Sequence, residues 1–254
     1  MTRSAELQKQ TEQLVNEFIS LQSEEGYMGP FPKESRLRTG WDVWGHYHCM
    51  LGLYQWYKLT GDKAALASAV KAADYVCHTF LDGELRVYDV GSLEMNMGVV
   101  HVMGILYRET GNPRYLQLMK QIEEDWRKPE AGDYLEQALA GKDFYNTPKP
   151  RWESLPILQG IGEFYRITGN PKYKQALLHD WWSIYKTDIH NSGSFSAGEQ
   201  AIGNPYTPMA IETCCTVAWM ALSIDALHFS SDSRIADELE NATYNAMLGA
   251  QSPT

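Results

Sequence analysis

One turn recurs along the chain, and it restricts the fold more than any other feature. Leu53-Tyr54-Gln55-Trp56-Tyr57-Lys58-Leu59-Thr60-Gly61-Asp62 returns in outline as Leu106-Tyr107-Arg108-Glu109-Thr110-Gly111-Asn112-Pro113. It returns again as Phe164-Tyr165-Arg166-Ile167-Thr168-Gly169-Asn170-Pro171, with a degraded copy at His228-Phe229-Ser230-Ser231-Asp232. The glycines stand 50 and 58 residues apart, a spacing that suits one helical hairpin and a loop per unit. Each copy reads as a helix stop followed by a helix start. Gly111 and Gly169 fit the left-handed position past a helix C-terminus. Asn112 and Asn170 then cap the next helix, with Pro113 and Pro171 in its first position.

The segments on either side of these turns differ in pattern. After the turn, Tyr115, Met119, Ile122 and Trp126 form one apolar stripe, and Ile235, Leu239, Ala242 and Met247 form another. Before it, Val99 to Tyr107, Leu155 to Tyr165 and Cys214 to Phe229 are apolar around most of their circumference, the mark of helices buried on both sides. Gly98, Gly104, Gly160 and Gly162 would let such helices approach closely. Alternating buried and amphipathic helices describe two concentric layers, so the sequence predicts an all-α fold of the α/α-toroid type. Leu85–Val90 is a weak hairpin candidate. About nine or ten helices are expected at ordinary helix and turn lengths, whereas a six-hairpin (α/α)6 barrel needs twelve. The expectation is therefore a single domain over residues 1–254 that is an incomplete barrel, a fragment stopping at Gln251-Ser252-Pro253-Thr254.

Composition removes other classes. With 254 residues, 44% of them hydrophobic, and 8 Trp, 15 Tyr and 7 Phe, the chain carries far more apolar surface than a disordered polymer. A net charge of -10 argues against nucleic acid or an anionic membrane as main partner. No apolar run approaches the roughly 20 residues of a membrane helix, and the start Met1-Thr2-Arg3-Ser4 leads into no signal-like apolar core. A cytoplasmic location is the default expectation. Four cysteines in this length are not a disulfide framework. The adjacent Cys214 and Cys215 read as free thiols or metal ligands, and Cys49 and Cys77 as core residues.

In a toroid, the loops leading into the inner helices hold the site, and here they are unusual. Gly40-Trp41-Asp42-Val43-Trp44-Gly45-His46-Tyr47-His48 places two tryptophans and two histidines in a glycine-flanked loop, suited to stacking on sugars and bonding their hydroxyls. Trp41, Asp42, Trp44, His46 and His48 are the candidate substrate contacts; the plain structural reading makes the tryptophans core plugs and the histidines half-buried helix residues. Glu199, in Gly198-Glu199-Gln200, and Glu212, in Ile211-Glu212-Thr213-Cys214-Cys215, both precede a buried helix. A pair of carboxyl groups is the usual equipment of glycoside hydrolysis, and Glu153 is a third candidate. Each also has an ordinary reading, as loop solvation or as a charge complementing a helix dipole.

Carboxylate and thiolate are both zinc ligands. On a regular helix Glu212 could share a metal with Cys215, three residues on. With Thr213 as N-cap, Glu212 lies in the loop and Cys214 in the first turn, which favours that pair instead. Two or three donors still fall short of a closed zinc site, and buried cysteines are often small hydrophobes.

Glu212-Thr213-Cys214 opening a buried helix, the later Thr243-Tyr244-Asn245 with Gln251-Ser252, and the Thr-Gly-Asn turns together resemble glycoside hydrolase family 127, whose best-known members are β-L-arabinofuranosidases. The resemblance runs over nearly the whole chain; the Glu-x-Cys and Tyr-Asn-to-Gln-Ser elements are its specific parts. It implies an (α/α)6 catalytic barrel followed by β domains, and a retaining reaction in which a zinc-bound cysteine is the nucleophile and a glutamate the acid/base. By that resemblance Glu212 and Cys214 are zinc ligands with Cys215 beside them, Glu199 the acid/base and His48 a substrate contact. The departures are also specific. A later Cys-Cys pair is missing, and Asn96 and Ser154 stand where histidines are expected. The chain is thus expected to bind zinc weakly and to lack turnover by itself. Two other readings remain open at this point: a metal-independent toroid enzyme such as an unsaturated uronyl hydrolase or epimerase, and a non-catalytic glycan-binding helical domain.

Overall fold

The recurring turns prove to be one structure built four times. In the computed structural model, which describes residues 4–251, Gly61, Gly111 and Gly169 adopt φ of +78, +72 and +68°, and Ser231 takes the same place at +54°. The residue before each explains the motif. The hydroxyls of Thr60, Thr110, Thr168 and Ser230 donate back to the carbonyls of Trp56, Leu106, Phe164 and Ala226. The same oxygens accept the N–H of Asp62, Asn112, Asn170 and Asp232, each at 3.2 Å. Those four residues then cap the following helix, accepting from the N–H two positions on. Thr, Gly and Asn/Asp thus have separate tasks: closing one helix, reversing the chain and opening the next.

The helices are α1 (Ala5–Ser20), α2 (Asp42–Thr60), α3 (Lys63–Leu81), α4 (Leu93–Asn96), α5 (Val99–Thr110), α6 (Pro113–Asp125), α7 (Tyr134–Leu139), α8 (Leu155–Thr168), α9 (Pro171–Thr187), α10 (Thr213–Ser230) and α11 (Ser233–Asn241). The turns pair α2 with α3, α5 with α6, α8 with α9 and α10 with α11. Among the inner members α2 packs on α5, α5 on α8 and α8 on α10; outside them α3 packs on α6, and α1 lies on α3. This is the predicted all-α toroid, present as four hairpins and a leading helix among the described residues. No strand occurs among those residues, only the isolated bridges Arg151–Gln200 and Ala197–Gln200. Leu85–Val90 is not a hairpin: Val87–Val90 is a single 3-10 turn, with Arg86 N–H bonded to Asp89 Oδ2 at 2.8 Å. The last stripe continues past α11 as the π-helical segment Ala242–Met247. Met1–Arg3 and Ser252–Thr254, and with them Ser252 of the family-like element, lie outside the described residues.

Close inner packing rests on glycine as expected. A Cβ on Gly104 would run into the side chain of Glu163 across the α5–α8 contact, and one on Gly160 into Val100. The core is continuous from Val43, Met50 and Leu53 through Val100, Met103 and Leu106 to Ile157, Leu158 and Ile161. The helix α10 departs from the expectation of burial on all sides. Its Val217 and Ile224 are 49% and 46% exposed, because its free flank and that of α2 face one another across an open space, not a packed contact. No helix of the described residues is long and apolar enough to cross a membrane.

Candidate active site

The space enclosed by α2, α5, α8 and α10 is a cavity of about 840 Å³. Its two ends differ because the inner helices contribute different parts of their sequences to each. The N-terminal ends bring Trp44, His48, Trp152 and Cys214 to the lining, and the C-terminal halves bring Arg108, Glu163, Arg166 and Asp225.

At the first end the tryptophan-histidine loop divides into two groups. Trp44 and His48 line the cavity, with their rings 4.4 Å apart edge to face, and Trp152 stands 5.9 Å from Trp44. Packing against Trp44 and Tyr47 pushes the His48 imidazole below its ordinary value, so it is neutral at pH 7 and able to accept or donate a hydrogen bond. Asp42 and His46 lie elsewhere, buried away from the cavity. His46 Nε2 accepts the Met28 N–H at 3.0 Å, which leaves Nδ1 to donate to the Asp42 carbonyl at 2.9 Å. The Asp42 carboxylate accepts from Leu37 N–H at 2.7 Å and from the Tyr27 hydroxyl. These two residues hold the 27–42 segment in place and do not present themselves to a ligand. Trp41 is 63% exposed, at the N-terminus of α2 and outside the lining.

Asn96 and Ser154, which replace the expected histidines, are fully buried anchors. Asn96 accepts from Trp44 N–H at 3.0 Å and donates to the carbonyls of Gly40 and Gly91 at 2.9 and 2.8 Å, so it fixes the loop that carries Trp44. Ser154 bonds the Tyr134 hydroxyl at 2.7 Å and the Lys149 carbonyl at 2.7 Å.

Glu212 takes the N-cap position of α10, one residue earlier than Thr213. This places Cys214 in the first turn, and its thiol donates to Glu212 Oε2 at 3.3 Å. Of the two possible pairings, Glu212 with Cys214 is the one formed. Burial, and then the neighbouring Glu212, push the Cys214 thiol up. Cys215 is fully buried, and burial pushes its thiol to about 12. Cys77 is buried and Cys49 half-buried; all four cysteines are free. The Glu212–Cys214 pair fits zinc in kind but not in number: no group of three or more His, Cys, Asp or Glu side chains converges as a metal site among the described residues.

Glu199 lies beside the rim, not in the cavity lining. Its carbonyl accepts the Trp152 N–H at 3.2 Å, and its carboxylate meets Arg151 Nη2 at 2.6 Å. Glu153, 2% exposed, takes both Nε and Nη2 of the same guanidinium, at 3.1 and 2.9 Å. The two carboxylates hold Arg151 well above its ordinary value.

The other end of the cavity escaped the sequence reading. Glu163, 1% exposed, binds Arg108 through two contacts of 2.6 and 3.1 Å and Arg166 at 2.8 Å. Arg166 reaches Asp225 at 2.7 Å, and Asp225 accepts from Gln159 at 3.0 Å. Beside this lattice the Tyr47 hydroxyl bonds His101 Nδ1 at 3.1 Å. The signal was present as polar residues inside otherwise apolar helices. Such residues must find partners across the ring.

The chain matches the profile of the family described as β-L-arabinofuranosidase, GH127 catalytic domain, over residues 1–254. Its fold is similar to a GH127 β-L-arabinofuranosidase from Geobacillus stearothermophilus T6, with TM-score 0.74 and 20% identity over 99% of this chain and 44% of that one. A second GH127 β-arabinofuranosidase gives 0.72 and 20%, over 99% and 43%. A variant of an α-1,6-mannanase of Salegentibacter sp., solved with α-1,6-mannotetrose, gives 0.63 and 12%, over 95% and 69%. No curated protein matches the chain. The chain spans less than half the length of the two GH127 structures.

Proposed function

Because this chain belongs to the GH127 β-L-arabinofuranosidase catalytic-domain family, we propose that the protein hydrolyses glycosides of the β-L-arabinofuranoside type. The observation that carries this reading is the Glu212–Cys214 pair at 3.3 Å, where α10 opens onto an aromatic-rimmed cavity. A sugar ring stacks on Trp44 and Trp152, whose faces supply apolar contact without competing for its hydroxyls. His48, neutral and at the same rim, bonds one of those hydroxyls. Trp41, exposed at the N-terminus of α2, meets the part of the glycan outside the cavity.

Glu199 is the acid/base of a retaining reaction: it protonates the departing glycosidic oxygen as a cysteine thiolate of the intact protein bonds to the anomeric carbon, and later takes a proton from the water that displaces that thiolate. Its main chain is tied to the rim through the Trp152 N–H, and its carboxylate, paired with Arg151, is 35% exposed. Zinc, when bound, keeps a thiol ionised at neutral pH and fixes its place. Glu212 and Cys214 are the side chains that would hold it, with Cys215 behind them. Since the donors present are too few for a closed site, no chemical step is assigned to the metal here.

A panel of nitrophenyl glycosides, assayed with and without chelator, tests the proposal. In the intact protein, turnover of the β-L-arabinofuranoside that falls with chelator and with Glu199→Gln is expected. Turnover that survives both chelator and Cys214→Ser would instead favour metal-independent chemistry, and binding without turnover, unchanged by Glu199→Gln, a glycan-binding domain.

A further inference from the structure

The geometry points to Arg151 as the positioning residue for Glu199, an inference that rests on the acid/base reading of that glutamate. Arg151 precedes the 3-10 turn Trp152–Ser154 that leads into α8, and its guanidinium serves two carboxylates unequally. Glu153, buried, takes the fork through Nε and Nη2, the strong two-point arrangement. Glu199, 35% exposed at its side chain, takes a single contact on the Nη2 already in use. Glu153 therefore fixes the guanidinium, and the guanidinium fixes Glu199.

The main chain is clasped at the same place. Trp152 N–H donates to the Glu199 carbonyl at 3.2 Å, and Ala201 N–H to the Pro150 carbonyl at 2.8 Å. Glu199 itself has φ +66°, a left-handed conformation that a residue with a Cβ keeps only where its surroundings impose it. The long connection from α9 to α10 has no helix of its own around residue 199. This side-chain and main-chain clasp ties that backbone to the cavity rim, while Asp188 anchors it just beyond, accepting from Ile202 and Gly203 N–H at 2.6 and 2.9 Å. The unequal sharing has a consequence for turnover. Glu199 can leave Arg151 to meet a substrate oxygen without stranding a buried charge, because the Arg151–Glu153 pair stays whole.

The test compares, in the intact protein, wild type, Arg151→Met and the double variant Arg151→Met/Glu153→Gln. The double variant leaves no unpaired buried carboxylate and serves if the single one unfolds. Amide exchange at Trp152 and Ala201 and the kcat and KM for the β-L-arabinofuranoside are read together. Exchange faster by roughly tenfold, with kcat lower by about 100-fold and KM within about twofold, is expected. Unchanged exchange overturns the inference. Faster exchange with unchanged kcat also overturns it, since the clasp would then be structural only. Intact wild-type protein without turnover refutes the acid/base reading, and the role of Arg151 toward it falls too; exchange then reports the clasp alone. Loss of turnover in Glu199→Gln with none in the Arg151 variants refutes the inference and leaves the acid/base reading intact.

Discussion

Removing the carboxyl group of Asp180 should stabilise the protein at neutral pH. Asp180 lies on α9 next to Trp181, has no exposed surface, and neither of its oxygens has a hydrogen-bond partner. Burial alone holds its carboxyl well above the usual carboxylate range, with no cation to offset it. In the unfolded chain the same group ionises near its ordinary value of 3.8. Between these two values the native state binds the proton and the unfolded state does not, so stability falls as pH rises, by up to about 1.4 kcal/mol per pH unit. The contribution is complete below the unfolded value and is lost progressively up to the folded one. Asp180→Asn keeps the shape and removes this titration; Asp180→Leu also removes the unpaired polar atoms. A gain of about 1–3 kcal/mol at pH 7 follows for the leucine variant, seen as roughly 2–4 °C in Tm per kcal/mol. Urea unfolding between pH 5 and 8 should show the difference from wild type growing with pH for both variants. Loss of stability in Asp180→Leu, or a difference independent of pH, would show that the carboxyl is ionised and partnered, and would refute the reasoning.

Three further outcomes follow from the same structure. Gly169→Ala, at φ +68° with open space around its Cβ, should cost about 1–2 kcal/mol from backbone conformation alone, and Ser231→Gly should gain up to about 1 kcal/mol, both measured by thermal unfolding. Glu163→Ala takes a partner from Arg108, whose side chain is 40% exposed, and from Arg166, which keeps Asp225, and should cost about 1–3 kcal/mol in urea unfolding. In the native protein a thiol reagent should modify Cys214 first, with Cys77 and Cys215, both buried and pushed to about 12, reacting only on unfolding; mass spectrometry resolves the order, and added zinc should slow Cys214 alone.

The fold was legible because its instructions are local. Thr-Gly-Asn specifies a helix end, a left-handed residue and a helix start within three positions, and the degraded Ser230-Ser231-Asp232 copy still makes every contact of the complete ones. Inner and outer helices were separable because apolar periodicity reports how many sides of a helix are covered. The reading failed at α10 for the same reason: an apolar surface records what a helix is made to pack against, and Val217 and Ile224 remain exposed where no described residue covers them.

The site was legible only where sequence neighbours are also spatial neighbours. Glu212 and Cys214 meet because two residues straddle one helix start. The loop around Trp41 could not be sorted from its sequence, since Trp44, His46 and His48 differ only in which side of α2 they occupy. That is decided by partners far along the chain: Met28 claims His46, and Asn96 fixes the backbone under Trp44. The same dependence explains Asn96 and Ser154. By the resemblance, histidines are expected at these positions; in the structure each residue closes several buried polar groups, so a histidine at either position would leave those groups unpaired. Arg151 was invisible for a related reason. Beside Glu153 it reads as a local ion pair, and only the fold brings Glu199, 48 residues away, onto the same nitrogen.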